Sequence, residues 1–287
     1  MTEIKDKVIW LTGASSGIGE ALSYQLAAKG AKLILSARRE QELQRVANHC
    51  ITQYQAEVQI LCLDLTQSDT LAEKAQQALN YYGTIDILVH GSGITQRATA
   101  AETQLEVERK IMEVNFFGAI TLTKFILPQW QKKKSGHLVI ISSLVGKFGT
   151  PLRSTYAASK HALHGYFDSL RAEVWRDNIK VTLICPGYVN TPISFNALTA
   201  TGEKLNQMSE NQAQGISPEQ CAKGIVKAIK NNKEEVYLGK IEVLAIYLKR
   251  FLPNIFSKLV RNFVPKQTDK TMKTSPFLQT LEDYLND

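Results

Sequence analysis

At 287 residues, 44% hydrophobic and 21% charged, the chain has the composition of a globular protein long enough for one α/β domain, which excludes a disordered or fibrous one. The net charge of +7 raises nucleic acid as a partner, yet residues 240–273 hold eight Lys or Arg against two acids, so the remainder is nearly balanced. Basic side chains there interleave with Leu, Ile and Phe, a pattern that suits a membrane surface or an acidic partner; no nucleic-acid partner is expected.

The start, "MTEIKDKVIWLTG", passes from a short charged lead into an apolar strand without the pattern of a secretory signal, so a cytoplasmic location is expected. Along the chain, "KVIWLTG", "KLILSAR", "VQILCLD", "DILVHG", "HLVIISS", "KVTLICPG" and "EVYLG" alternate with segments of helical periodicity. Most of these runs are continuously apolar, as strands buried on both faces of a parallel sheet should be. Repeated βα units with right-handed crossovers predict a Rossmann-type doubly wound sheet of seven parallel strands in a single α/β domain over residues 1–240. Cys50, Cys62, Cys185 and Cys221 lie far apart without CxxC spacing, so reduced, mostly buried thiols are expected, with no disulfide framework and no zinc site.

"TGASSGIGE" (12–20) follows the first strand and opens a helix, with Gly13, Gly17 and Gly19 in a GxxxGxG pattern. Glycines there let the backbone turn tightly and approach a pyrophosphate, which the helix N-terminus favours. Gly13, Ser15, Ser16, Gly17, Ile18 and Gly19 are therefore expected to bind a dinucleotide. The second strand ends "LSARRE", placing Arg38 and Arg39 where a carboxylate would select NAD. Two guanidiniums there suit the 2′-phosphate of NADP, so NADPH is expected over NADH. Asp64, after the third strand, is placed either to bond the adenine amino group or to cap the following helix. The polar stretch 188–216 after the sixth strand either covers a site or is disordered.

Tyr156 and Lys160 lie four apart on a predicted helix and share a face, and of ten tyrosines only Tyr156 has Lys at that spacing. The spacing alone is no rarer than chance. It gains meaning from Ser143 at the end of "HLVIISS", thirteen residues before Tyr156, and from "CPGYVNT" after the next strand. With the glycine loop, Asn115 in "IMEVNFFGAI", and Pro186, Gly187 and Thr191, this combination resembles the short-chain dehydrogenase/reductase family over residues 5 to about 240. More narrowly, "GITQRATAAE", "ITLTKFILP" and "YAASKHALHGYFDSLRAEV" are similar to the dehydrogenase/reductase member 7 and 7B branch. The family's usual NNAG stands here as "HGSG", with His90 read as a buried structural histidine and Gly91 beside the cofactor.

The resemblance implies hydride transfer between NADP(H) and a carbonyl or alcohol, with Ser143 holding the carbonyl oxygen and Tyr156 as proton donor. Lys160 would stabilise the phenolate and grip the ribose. Asn115 would hold a relay water, or else be a core residue bonded to backbone. Gly187 and Val189 would pass the nicotinamide, with Thr191 near its carboxamide. His161 and His164 are expected at the surface or an interface. Leu163, Phe167, Leu170 and Val174 form a core stripe on a helix that in this family often packs against a second subunit, so a homodimer or homotetramer is expected.

Residues 241–287 read as a basic amphipathic helical extension whose longest apolar run falls short of the ~20 residues of a bilayer span. Ile255, Phe256, Leu259, Val260, Phe263 and Val264 share one face, suited to the substrate pocket, a subunit, or peripheral membrane contact through 241–264. The pocket walls lie where motifs are silent, so only an apolar carbonyl substrate is expected. A 3-oxoacyl reductase of fatty-acid metabolism shares every catalytic residue. A non-catalytic NADP(H)-binding redox sensor is the reading from another class, and such proteins tend to lose the Tyr or Lys kept here.

Overall fold

The computed structural model describes residues 2–261. Seven strands form one all-parallel sheet in the order β3-β2-β1-β4-β5-β6-β7: β1 Val8–Thr12, β2 Lys32–Ala37, β3 Val58–Cys62, β4 Ile87–His90, β5 Gly136–Ile141, β6 Ile179–Pro186 and β7 Glu235–Leu238. The helices are α1 Gly17–Ala27, α2 Glu40–Tyr54, α3 Leu71–Tyr82, α4 Leu105–Met112, α5 Gly118–Lys133, α6 Ser154–Val174, α7 Glu210–Ala213, α8 Pro218–Lys230, α9 Leu244–Phe251 and α10 Pro253–Arg261. The expected doubly wound fold is the fold observed.

Helices cover both faces, which is why β1 and β4 are buried at every position and why their sequences do not alternate. One core packs α1, α2 and α8 on the sheet through Leu22, Leu26, Leu43, Val46 and Ile225. The other packs α3, α5 and α6 through Ala75, Leu122, Ile126, Trp130, Leu163 and Phe167. Leu170 and Val174 are buried with them, as the predicted stripe requires. Buried indoles keep their N–H groups bonded, Trp10 Nε1 to Ser36 Oγ at 2.9 Å and Trp130 Nε1 to the Ile85 carbonyl at 2.6 Å.

Between α4 and α5 the helix continues through a π-helical turn at Glu113–Phe117. The resulting rod, Leu105–Lys133, is the one described helix long and apolar enough by composition to cross a membrane. Ile111, Leu122, Ile126 and Trp130 on its inner face are fully buried in the protein core. Cys50, Cys185 and Cys221 are buried and Cys62 half-buried, all as free thiols.

The sheet order reverses between β1 and its two neighbours, β2 and β4, opening a crevice at the strands' C-terminal ends. Above the other side of that crevice, α9 and α10 pack Ile246 and Phe256 onto Leu144, Val145 and Phe148. Phe148 and Phe256 meet edge to face, ring centroids 5.2 Å apart. The expected apolar face of the extension divides: Phe256 is buried and Val260 half-buried, while Ile255 and Leu259 are exposed. Phe263 and Val264 lie outside the described residues.

Candidate active site

A single cleft of about 950 Å³ runs from the glycine loop to α10. At one end, the turn from β1 to α1 approaches β4 so closely that a Cβ on Gly13 would lie 2.6 Å from the Gly91 carbonyl carbon. A Cβ on Gly19 would lie 2.1 Å from the Gly13 carbonyl oxygen, so only glycine permits this crossing. Ser16, extended at the N-cap of α1, lines the cleft and makes no side-chain bond to the helix, so the first N–H groups of α1 have no cap from it. Ser15, Gly17 and Ile18 line the same end.

Arg38 and Arg39 are exposed at the tip of β2 and line this end as well. Arg39 Nη2 donates to the Ser15 carbonyl and hydroxyl oxygens at 3.3 and 3.2 Å, while Arg38 makes no ion pair among the described residues. This donor set, a glycine cradle with a helix N-terminus and two guanidiniums, fits a phosphorylated dinucleotide. Asp64 also lines the cleft, but its Oδ1 accepts from Thr66 N at 3.0 Å and Thr66 Oγ1 at 2.9 Å, closing an Asx turn. The N-cap of α3 is Thr70, so the helix-capping alternative for Asp64 is not realised.

At the centre, Ser143 just beyond β5 meets Tyr156 and Lys160 of α6, and Gly91 and Gly93 line the same part of the cleft. The Ser143 hydroxyl donates to the Pro186 carbonyl and accepts from Val145 N, both at 3.4 Å. Bonds that long are weak, so the hydroxyl is able to turn to a substrate oxygen. Burial raises the Tyr156 phenol, while the Arg153 guanidinium and a hydrogen bond with Ser143 pull it down. Lys160 Nζ donates to the Ile141 carbonyl at 2.9 Å and lies 5.7 Å from the Tyr156 ring centroid. Burial lowers its pKa to about 8, which still leaves it mostly cationic at neutral pH.

Asn115 sits in the π-helical turn and is bonded on every side: Oδ1 accepts from Ile94 N at 2.8 Å, and Nδ2 donates to the Ile94 carbonyl and Ser159 Oγ, both at 2.9 Å. The backbone-bonded alternative therefore describes its contacts. It nonetheless flanks Lys160, since a Cβ on Gly93 would lie 3.4 Å from Asn115 Oδ1 and 3.5 Å from Lys160 Nζ. Pro186, Gly187 and Val189 line the cleft beyond β6. Thr191, expected at the carboxamide, packs its methyl carbon 3.0 Å from the place a Gly17 Cβ would occupy, tying this turn to the glycine loop. Segment 188–216 is ordered over the cleft through bridges Val189 to Ile216 and Gln96 to Leu198.

His90 is buried as expected, its Nε2 2.9 Å from Thr123 Oγ1, and burial lowers its pKa to about 3. His161 is exposed, as expected. His164 corrects the reading that placed it at the surface or an interface, since it is buried within this chain. Four residues after Lys160, it shares that residue's inward face, and its Nε2 lies 3.1 Å from Ser142 Oγ and 3.6 Å from Cys185 Sγ. Motif logic also passed over Arg153, Tyr188 and Glu242, all of which line the cleft. Arg153 stands three residues before Tyr156, a position on the same helical face that could have drawn notice.

A model of the short chain dehydrogenase family matches residues 7–201. A relative from Anopheles gambiae, a dehydrogenase/reductase SDR family protein 7-like, is 44% identical over 269 residues, spanning 92% of this chain and 84% of its own. Dehydrogenase/reductase SDR family member 7B from Mus musculus is 37% identical over 268 residues, spanning 92% and 83%. A short-chain dehydrogenase from Streptomyces avermitilis superposes with a TM-score of 0.75 at 29% identity over 90% of this chain and 96% of its own. An alcohol dehydrogenase from Thermococcus sibiricus, complexed with 5-hydroxy-NADP, has the same fold at a TM-score of 0.71 and 24% identity over 83% and 97%. By the extent of these matches and the architecture they share, the chain belongs to the short-chain dehydrogenase family of oxidoreductases.

Proposed function

We propose that this protein is an NADP(H)-dependent oxidoreductase that interconverts an apolar ketone or aldehyde with its alcohol. The observation that carries the reading is the meeting of Ser143, Tyr156 and Lys160 on one wall of a cleft continuous with the glycine loop. A nicotinamide cofactor, when bound, supplies or accepts the hydride. The Ser143 hydroxyl holds the carbonyl oxygen of the substrate. Tyr156 gives its phenolic proton to that oxygen as negative charge grows there, and takes it back in the reverse direction. Lys160, positive and 5.7 Å from the phenol ring, stabilises the phenolate that remains. Arg38 supports the preference for NADPH, because an exposed guanidinium with no acidic partner among the described residues is free to take a second phosphate.

The apolar wall of Leu144, Val145, Phe148, Leu248 and Phe256 supports an apolar substrate. Outside that wall, Ile241, Leu244, Phe251 and Ile255 are exposed beside Lys249, Arg250 and Lys258, a composition suited to an anionic membrane surface. Sedimentation with vesicles of anionic and of zwitterionic lipid tests this, with binding expected to the anionic ones alone. Exposed Phe117, at the end of the π-helical turn, and Phe125 on α5 support self-association, read by light scattering. The reaction itself is tested with a panel of ketones and aldehydes, following NADPH consumption. Turnover of apolar members is expected, and no consumption with any member overturns the reading.

A further inference from the structure

The cleft holds two half-buried arginines that the hydride chemistry does not use. Arg97 and Arg153 line it from adjacent backbone segments, joined where Ala98 N donates to the Leu152 carbonyl at 3.3 Å. Among the described residues neither guanidinium has an ion-pair partner or donates a hydrogen bond, whereas half-buried Arg171 bonds Asp168, the Val181 carbonyl and the Glu234 carbonyl. Three acids of the neighbouring segments bond other groups: Glu102 accepts from Thr99 Oγ1 at 2.6 Å, Glu108 from Thr155 Oγ1 at 2.7 Å, and Glu242 from Tyr188 N at 3.2 Å. The backbone N–H of Tyr156, at the start of α6, is met by the neutral side chain of Gln96 at 3.1 Å. Partly buried cations are ordinarily paired, because desolvation without a counter-charge is costly. Burial accordingly lowers Arg153 from its ordinary value, with the Tyr188 and Tyr156 hydroxyls as its opposing influences.

We infer that Arg153, assisted by Arg97, is an anchor for an acidic group on the substrate, so that the natural substrate is an amphiphile. It would carry its carbonyl at Tyr156, a carboxylate or phosphate close to that carbonyl, and an apolar chain under Phe148 and Phe256. The inference rests on the carbonyl-reducing function proposed above and narrows its substrate class. A guanidinium suits either anion, since its planar fork bonds two oxygens at once. An anchor one helical turn from Tyr156 would orient the carbonyl as well as bind the molecule, so its effect extends beyond affinity for the acidic group.

The test compares a γ-keto carboxylate and an α-phosphoryloxy ketone of equal chain length with their neutral methyl esters. Binding is measured by calorimetry with NADP⁺ present, where no reduction can occur, and turnover by NADPH consumption. The wild-type protein is expected to favour an acid over its ester by about 30- to 100-fold, the worth of a charge-assisted hydrogen bond in a partly dry site. That preference should fall to near unity in Arg153→Met, survive in part in Arg153→Lys, and weaken in Arg97→Met. The acid preferred more strongly identifies carboxylate or phosphate. If Arg153 acted only by lowering the phenol of Tyr156, acid and ester would lose turnover alike and the ratio would persist in Arg153→Met. A persisting ratio, or no preference in the wild-type protein, overturns the anchor. Selective binding of acids without NADPH consumption would leave the anchor standing and overturn the carbonyl-reducing reading instead.

Discussion

The two ends of the cleft are built by different means. At the β1–β4 crevice the backbone forms the site: Gly13, Gly19 and Gly91 are set by contacts a single Cβ would break, and α1 presents its N–H groups whatever side chains surround it. Over α9 and α10, side chains form the wall, with Phe148 and Phe256 edge to face and Arg153 aimed into the cavity from the start of α6. Backbone sites tolerate little variation and bind what all members of a fold share. Walls of side chains can be exchanged at small cost to the sheet beneath, so specificity resides there.

The sharpest break of this contrast is Gly19→Val, whose branched side chain would enter the space of the Gly13 carbonyl. We expect loss of NADPH binding beyond about 100-fold by fluorescence titration, with the substrate end still binding its ligand. Arg38→Ala should raise the Michaelis constant for NADPH about 10- to 100-fold and that for NADH little, the worth of charge-assisted bonds to a phosphate. Equal changes for both cofactors would place the 2′-phosphate elsewhere.

His90 offers a separate lever at the cofactor end. Its folded pKa of about 3 lies below the ordinary 6.5, so the folded state binds fewer protons than the unfolded chain between these values. Stability present above pH 6.5 is therefore lost as pH falls through that window, by roughly 2 kcal/mol at about pH 5 for this residue. In His90→Asn the decline between neutral pH and pH 5 should be shallower by about that amount in chemical denaturation, while an unchanged slope would assign the acid sensitivity to other groups. The smallest effect belongs to the roof. Phe256→Ala should raise the Michaelis constant for a long-chain ketone about 10-fold with NADPH affinity unchanged, from the apolar surface lost. Equal loss of cofactor affinity would show that the ends are not independent.

Legibility in the sequence followed the same division. All seven strands were readable because burial on both faces leaves continuous apolar runs, and the glycine loop because backbone crossings admit one residue type. Ser143, Tyr156 and Lys160 are brought to one wall as the spacing and strand ends implied. His164 was misplaced because a histidine on a mixed helix face carries no mark of which side turns inward; only its four-residue step from Lys160 pointed there. Arg153 and the roof were illegible for a different reason. A lone arginine gains its meaning from the ion pair it does not make among the described residues, and absence in space has no signature along a chain. The segment 188–216 read as loop because its order comes from isolated bridges and from the cleft it covers, without regular periodicity.

The central claim, that Tyr156 carries the proton in a carbonyl reduction, is tested most directly by Tyr156→Phe on a ketone the wild-type protein reduces. The account predicts that kcat falls about 10³- to 10⁴-fold while NADPH binding is retained, because the ring stays and only the proton donor is lost. Turnover unchanged in that variant would contradict it.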